Sequence, residues 1–382
     1  MKIAYTTYWN AADVTSWSGT VHFIAKAIEK QNIEIEYIDN LHSFKHDIYK
    51  IKAFYYKKIL HSNYQRFREP RIIKDIAKRI SAKLKNSNAD LILSPGSLEI
   101  SLLDTEKPIV IWTDATFAGL LNFYPEYSNL DKKTIEYGHY LEQSAFDRSS
   151  LIIFSSDWAA ETALKYYDVK PEKIAVIPFG ANVIEEIDEN TIRESINNKL
   201  RDKISILFVG VRWHQKGGDI VYEVARQLRA KGLDIQLDIV GCQPETDEPL
   251  PDYVIPHGFL NKNNSEQWEK LKALFLNASF FVMPTKAEAY GLVFCEANAF
   301  GVPAIGTNIG GVPTIIKNNI NGVLVNPQNA KEEITEIILH YSKDKQSYKD
   351  LSLNSYSEYR RRLNWQVAGT RFKNLLEQSL LL

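Results

Sequence analysis

Apolar residues fall in short runs, each followed by a polar loop and then by a stretch with helical apolar periodicity. Lys2–Thr6 reads as a buried strand, Val21–Glu29 as a helix and Ile33–Ile38 as an alternating strand. Beyond a long basic region come Leu91–Ser94, Ile109–Trp112 and Leu151–Phe154, then a helical Asp157–Tyr167 and a strand at Ile174–Ile177. Strands that alternate with helices require crossover connections, hence a mainly parallel sheet. That unit closes near Pro178-Phe179-Gly180.

The pattern then restarts. A polar linker, Ile184–Lys203, leads to the strand Ile204–Val209, the helix Asp219–Lys231 and the strand Gln236–Val240. Helix Ser265–Leu276 precedes strand Phe280–Met283, helix Leu292–Phe300 and short strands at Val302–Gly306 and Val323–Val325. The fold class expected is α/β, with two Rossmann-like, doubly wound parallel-sheet domains facing across a cleft. The domains are assigned to residues 1–183 and 184–363, and residues 364–382 to a C-terminal helix packing back on the first domain. Ligands of open parallel sheets bind at the carboxyl ends of the strands, so the chemistry belongs in the loops that follow them.

Composition narrows the class. With 45% apolar and 24% charged residues the chain is a soluble globular type, not a disordered or collagenous one. Cys242 and Cys295 both lie in apolar segments, which leaves no disulfide framework. MKIAYTTYWN has no signal-peptide pattern, and no apolar run approaches the roughly 18 residues that span a bilayer, so the expected location is cytoplasmic.

The net charge of −1 conceals an asymmetry. Lys45–Lys85 holds thirteen Lys and Arg against three acidic residues, interleaved with Phe44, Tyr49, Phe54, Tyr55, Tyr56, Tyr64 and Phe67. Two readings stand. One is a pair of solvated helices with core-facing aromatics; the other is contact with an anionic membrane surface, peripheral at the inner face. No nucleic-acid module is recognisable, so no nucleic-acid partner is expected.

Two loops could hold a phosphorylated ligand. GVRWHQKGGD, Gly210–Asp219, joins a strand to a helix, with Arg212 as a fork and Lys216 as a point charge for phosphate oxygens. After Phe280–Met283 comes Pro284-Thr285-Lys286-Ala287-Glu288-Ala289-Tyr290-Gly291, which opens a helix containing Glu296. The backbone of Ala289, Tyr290 and Gly291 would offer N–H groups, and Glu288 stands where the crevice is expected. Glu296 lies in an otherwise apolar helix and needs a partner there, either a ribose diol or a structural backbone or Arg group.

These residues resemble a family. The pair Glu288-AYGLVFC-Glu296, followed by ANAFGVPAIGTNIGGVP and NGVLVNP, is similar to retaining glycosyltransferases of family 4, which have the GT-B fold. GVRWHQKGG, VIPFGAN at Val176–Asn182 and HGFL at His257–Leu260 fit the same pattern, most strongly from Leu151 to Pro327. The resemblance implies that Glu288 contacts the donor sugar, Glu296 its ribose, and Arg212 and Lys216 the diphosphate. It places the base near Gly258, Phe259 and Leu260, and Gly19 of the first domain beside the diphosphate. Three positions depart from the pattern: Ala289 replaces a glycine, Arg212 falls one residue late, and Thr113-Asp114 has lost the histidine of a His-Asp pair while keeping Asp114. Local alternatives are a turn-capping role for Asp114 and an N-cap by Ser18 or Thr20 beside Gly19; His22 reads as structural.

The expected catalytic set is Glu288, Asp114 and Lys216, with no cofactor beyond an NDP-sugar donor, UDP- or GDP-linked. None of the twenty aspartates forms D-x-D, so no metal is expected, and cations with helix N-termini stabilise the leaving group. The acceptor expected is a glycan or lipid-linked hydroxyl. The alternatives are a non-catalytic nucleotide-sugar-binding partner of a transferase, or a GT-B epimerase, which the Glu288/Glu296 spacing does not fit.

Overall fold

The computed structural model describes residues 1–14, 16–41, 45–185, 187–199 and 203–379. The chain divides into two compact units. One comprises Met1–Pro178 together with the segment from Ala368 on; the other is Phe179–Val367.

The first unit is built on six parallel strands: β1 (Lys2–Thr6), β2 (Glu34–Ile38), β3 (Leu91–Ser94), β4 (Ile109–Thr113), β5 (Leu151–Phe154) and β6 (Ile174–Val176). Their order is β2-β1-β3-β4-β5-β6, so the sheet changes direction of growth between β1 and β3. The central strands β3, β4 and β5 are buried along their whole length, as unbroken apolar runs require when helices cover both faces. The basic region separates into two helices. Pro70–Leu84 seats Ile72, Ile73, Ile76 and Ile80 in the core and leaves its charges outside, so it is the solvated helix of the first reading. Its partner, Lys45–Lys58, lies differently on the unit; Phe44 falls outside the described residues.

Part of the last helix, Trp365–Ser379, belongs to this unit. Phe372 stacks on Trp112 at 5.3 Å and 5°, and Gly369 lies so close to the Ala27 carbonyl that a Cβ would sit 2.4 Å from its oxygen.

The second unit carries β7 (Ile204–Val209), β8 (Ile235–Val240), β9 (Val254–Gly258), β10 (Phe280–Met283), β11 (Ala304–Thr307) and β12 (Gly322–Val325). All are parallel, in the order β12-β11-β10-β7-β8-β9, the doubly wound dinucleotide-fold order. Beside two helices that the pattern did not predict, Ala330–Lys343 and Lys345–Arg362, two further elements differ from expectation. The segment expected as a polar linker contains a helix, Glu189–Asn198, whose apolar row is only Ile192 and Ile196, one turn apart, in an otherwise polar stretch. Strand β9 went unrecognised because Pro256 and His257 interrupt its apolar run.

The boundary falls at Pro178/Phe179, where the first run of strands was expected to close and ahead of the 183/184 division, because the PFGAN motif is tied into the second unit. The Phe179 carbonyl accepts the Tyr290 hydroxyl at 2.7 Å, and the Asn182 side chain accepts Trp365 Nε1–H at 2.8 Å. Gly180 is required there: a Cβ would lie 2.2 Å from the Trp365 nitrogen. Among the described residues no helix is long and apolar enough to cross a membrane.

Candidate functional site

In the second unit β7-β8-β9 extend one way and β10-β11-β12 the other, so the loops after β7 and β10 part at the carboxyl edge. A crevice at such a reversal is where open α/β sheets receive ligands. The first of these loops ends at Gly217, which holds φ +76° as the N-cap of the helix Gly218–Ala230. A side chain is excluded at both glycines. A Cβ on Gly217 would lie 2.3 Å from the Pro284 carbonyl oxygen, and one on Gly218 would enter the Trp213 ring. The loop therefore lies directly on the second one, and the two are stitched by Lys286 N–H donating to the Gln215 carbonyl at 2.9 Å.

The second loop ends at Gly291, φ +97°, which caps the helix Leu292–Ala299. Neither helix start has a side-chain cap, so both present backbone N–H groups and the positive end of the dipole. A third segment fixes the catalytic candidate: Gly311 N–H donates to the Glu288 carbonyl at 3.0 Å, and a Cβ there would sit 2.1 Å from the Ala289 oxygen. With both backbones held, Lys216 Nζ meets Glu288 Oε2 at 2.5 Å. The side chains are 17% and 12% exposed, shielded enough for the pair to matter and open enough to meet a ligand.

Glu296 is buried in the next turns of that helix, and its partner is Lys262, unforeseen from the sequence. The same ammonium donates to the Asn182 carbonyl at 3.2 Å, so the buried carboxylate is met by a side chain that is itself hydrogen-bonded in place. Two neighbours are structural. The Tyr290 side chain is committed to Phe179, and burial pushes the Cys295 thiol up to about 12, which keeps it protonated and not nucleophilic near neutral pH. Among the described residues no group of three or more His, Cys, Asp or Glu is placed to hold a metal.

Residues 188–358, inside this unit, match the family model for Glycosyl transferases group 1. The D-inositol 3-phosphate glycosyltransferase of Corynebacterium aurimucosum is 22% identical over 255 residues, covering 63% of this chain and 59% of that protein. The Staphylococcus aureus capsular polysaccharide biosynthesis glycosyltransferase CapM is 25% identical over 268 residues, 63% of this chain and 70% of its own. The crystal structure of Anabaena HepE with UDP and glucose superposes with a TM-score of 0.63 over 99% of both chains at 14% identity. Within the second unit, residues 188–358 are thus similar to the glycosyl transferases group 1. The chain's two doubly wound sheets are the GT-B architecture of such neighbours, and it spans 59% of the length of the Corynebacterium relative.

Other residues expected at the site fall in several places. Arg212 is exposed and donates to Gln215 Oε1 at 2.8 Å, beside the loop that holds Lys216. Gly258, φ +67°, ends β9 on the same carboxyl edge; Phe259 after it is 67% exposed and Leu260 half-buried. His257 is structural, its Nε2 2.8 Å from the buried Asp238 carboxylate.

In the first unit, Gly19 holds φ +84° and is itself the N-cap of the helix Thr20–Glu29, in place of a Ser18 or Thr20 side-chain cap. Trp17 and Ser18 before it are also left-handed, at φ 47° and 55°. Such strain at non-glycine residues costs about 1–3 kcal/mol each and gathers at functional sites. His22 is structural, its Nδ1 3.1 Å from the Ala11 carbonyl oxygen. Asp114 stands one residue beyond β4, half-buried. Sequence reasoning overlooked two carboxylates here. Glu99 accepts Tyr8 N–H at 3.0 Å, joining the loops after β1 and β3 where this sheet reverses, and Glu142, on the helix Lys132–Arg148, accepts the Ser97 hydroxyl of the loop after β3 at 2.6 Å. Burial raises both carboxyls above their ordinary range. Neither has a local motif; each is defined only by what the fold packs around it.

Proposed function

We propose that this protein transfers a hexose from a UDP- or GDP-linked sugar to a hydroxyl of a glycan or lipid-linked acceptor, with retention and without a metal. The observation that carries the reading is the Lys216–Glu288 pair, set between two uncapped helix starts at the strand reversal. The names of the relatives support the donor and acceptor classes: HepE binds UDP and glucose, and CapM serves capsular polysaccharide biosynthesis.

Charge builds on the leaving diphosphate as the anomeric C–O bond breaks. Lys216 turns from Glu288 to that phosphate, with the N-terminal turns of the helices Gly218–Ala230 and Leu292–Ala299 beside it, and a preorganised cation with aligned dipoles supplies what a metal would otherwise provide. Glu288 then accepts a hydrogen bond from a donor-sugar hydroxyl, and Glu296 one from the ribose. The acceptor oxygen bonds to the anomeric carbon on the face the phosphate leaves, and its proton passes to the departing phosphate oxygen. In the first unit, Asp114 is the candidate for a hydrogen bond to the acceptor hydroxyl. The acceptor class places the protein peripherally at an anionic membrane face, through its basic region.

Slow donor hydrolysis, screened over UDP-, GDP- and ADP-sugars, tests this. One UDP- or GDP-sugar should be consumed, its anomeric configuration kept in early NMR spectra and its rate unchanged by EDTA. Stabilisation by UDP or GDP without turnover of any donor or acceptor would indicate the binding-only partner. An inverted product, or activity lost to chelator and restored by Mg²⁺ or Mn²⁺, would overturn the mechanism.

A further inference from the structure

The two helices of the basic region bury opposite kinds of residue. Pro70–Leu84 turns its isoleucines into the core. In Lys45–Lys58 the inward side is polar and aromatic: Lys52 Nζ stands 4.3 Å from the Tyr64 ring centroid and 3.3 Å from Glu69, and Tyr56 lies against the same ring at 5.0 Å. Its outward side is apolar. Ile48, Ile51, Tyr55 and Ile59 recur at three- and four-residue steps, with Phe54 and Leu60 beside them, and all six are between 50% and 77% exposed. The helical bonds continue past Lys58, with Ile59 N–H to the Tyr55 carbonyl and Leu60 N–H to that of Tyr56, so the row is continuous. An apolar ridge of that length left open on a surface marks a contact.

We propose that this helix docks on an anionic lipid leaflet by inserting its Ile48–Ile51–Tyr55–Ile59 ridge among the acyl chains while Lys57 and Lys58 meet the headgroups. The proposal rests on the membrane-face reading above and sharpens it: one helix makes the contact, by apolar insertion as well as by charge, and Pro70–Leu84 adds only field. Charge selects the occupant. Thirteen cations against three acids in Lys45–Lys85 suit an anionic surface, whereas a second copy would set like charge against like. An interfacial helix of this kind needs apolar burial and electrostatic attraction together.

Sedimentation of the full chain with vesicles of phosphatidylcholine and phosphatidylglycerol, and of phosphatidylcholine alone, tests it. The wild type should partition to the anionic vesicles. Ile51→Asp with Ile59→Asp should weaken that partition by about tenfold or more, leaving a remainder that salt abolishes. Lys57→Glu with Lys58→Glu should weaken it on anionic vesicles only. Both double variants should keep their melting temperatures and the stabilisation given by UDP, because these side chains are exposed and remote in sequence from Lys216 and Glu288; failure of the donor reading would instead appear in the UDP shift. A wild type that stays in the supernatant, an isoleucine variant that binds as the wild type does, or a wild-type dimer that this variant makes monomeric would each overturn the proposal.

Discussion

Lys216 and Glu288 meet at 2.5 Å across β7 and β10, the two strands between which the second sheet reverses. The pair closes a half-shielded contact between the two loops, and in the mechanism proposed above a phosphate and a sugar hydroxyl replace it. Lys216→Met should lower kcat/KM by about 10²–10³-fold, the usual loss when one preorganised group is taken from a developing anion. Glu288→Ala should abolish transfer with the fold intact, and the double variant should cost less than the two singles combined, since both belong to one unit. Steady-state rates with the identified donor decide this, and unchanged turnover in either single variant would remove the pair from the mechanism.

Glu296 presents a choice between serving a ligand and serving Lys262. A charged hydrogen bond to ribose is worth about 1.5–3 kcal/mol, so Glu296→Gln should weaken UDP or GDP binding by roughly tenfold or more. Thermal shift against nucleotide concentration measures this. Lys262→Met should destabilise the unliganded protein by leaving the buried carboxylate unpaired. If both variants merely lower the melting point and leave the nucleotide shift unaltered, Glu296 is structural.

The contrast between these two glutamates shows what was legible in the sequence. Glu288 announced itself by position, directly after an apolar strand and before a glycine-led helix. That strand–loop–helix grammar is local, and it also gave β3, β5, β7 and β10 their observed limits. Glu296 announced only that a buried charge needs company; that the company is Lys262 depends on tertiary packing 34 residues away. Glu99 and Glu142 were invisible for the same reason. The PFGAN motif was legible as a pattern but not as a fastening, because its partners Tyr290 and Trp365 lie far along the chain.

The seating of one loop on the other depends on glycine. Gly217 and Gly232 share a left-handed backbone, φ +76° and +86°, but only Gly217 has a carbonyl 2.3 Å from where its Cβ would be, whereas Gly232 has nothing within 4 Å. Gly232→Ala should therefore cost only the backbone strain, about 1–2 kcal/mol, and retain activity. Gly217→Ala must also push the loop off Pro284, lowering the melting temperature further and removing UDP-induced stabilisation. Equal melting shifts with equal nucleotide response would mean that the close approach does not shape the site.

Lys199 gives a prediction with a definite pH window. Its ammonium is buried, with the Phe300 carbonyl 3.3 Å from Nζ, and burial brings it down to about 7 from an ordinary 10.5. Below pH 7 the folded and unfolded chains are both charged there, and the whole cost of the buried cation bears on the fold. Between pH 7 and 10.5 the unfolded chain binds the extra proton, so stability rises with pH across that interval through this group. Lys199→Met removes the group and its cost together. Melting temperatures of variant and wild type, compared from pH 6 upwards, should show the largest gain for the variant at pH 6, a steady narrowing above 7 and no difference from this source beyond about 10.5. A gain independent of pH would mean that the methionine acts through packing alone and that Lys199 keeps its ordinary charge in the fold.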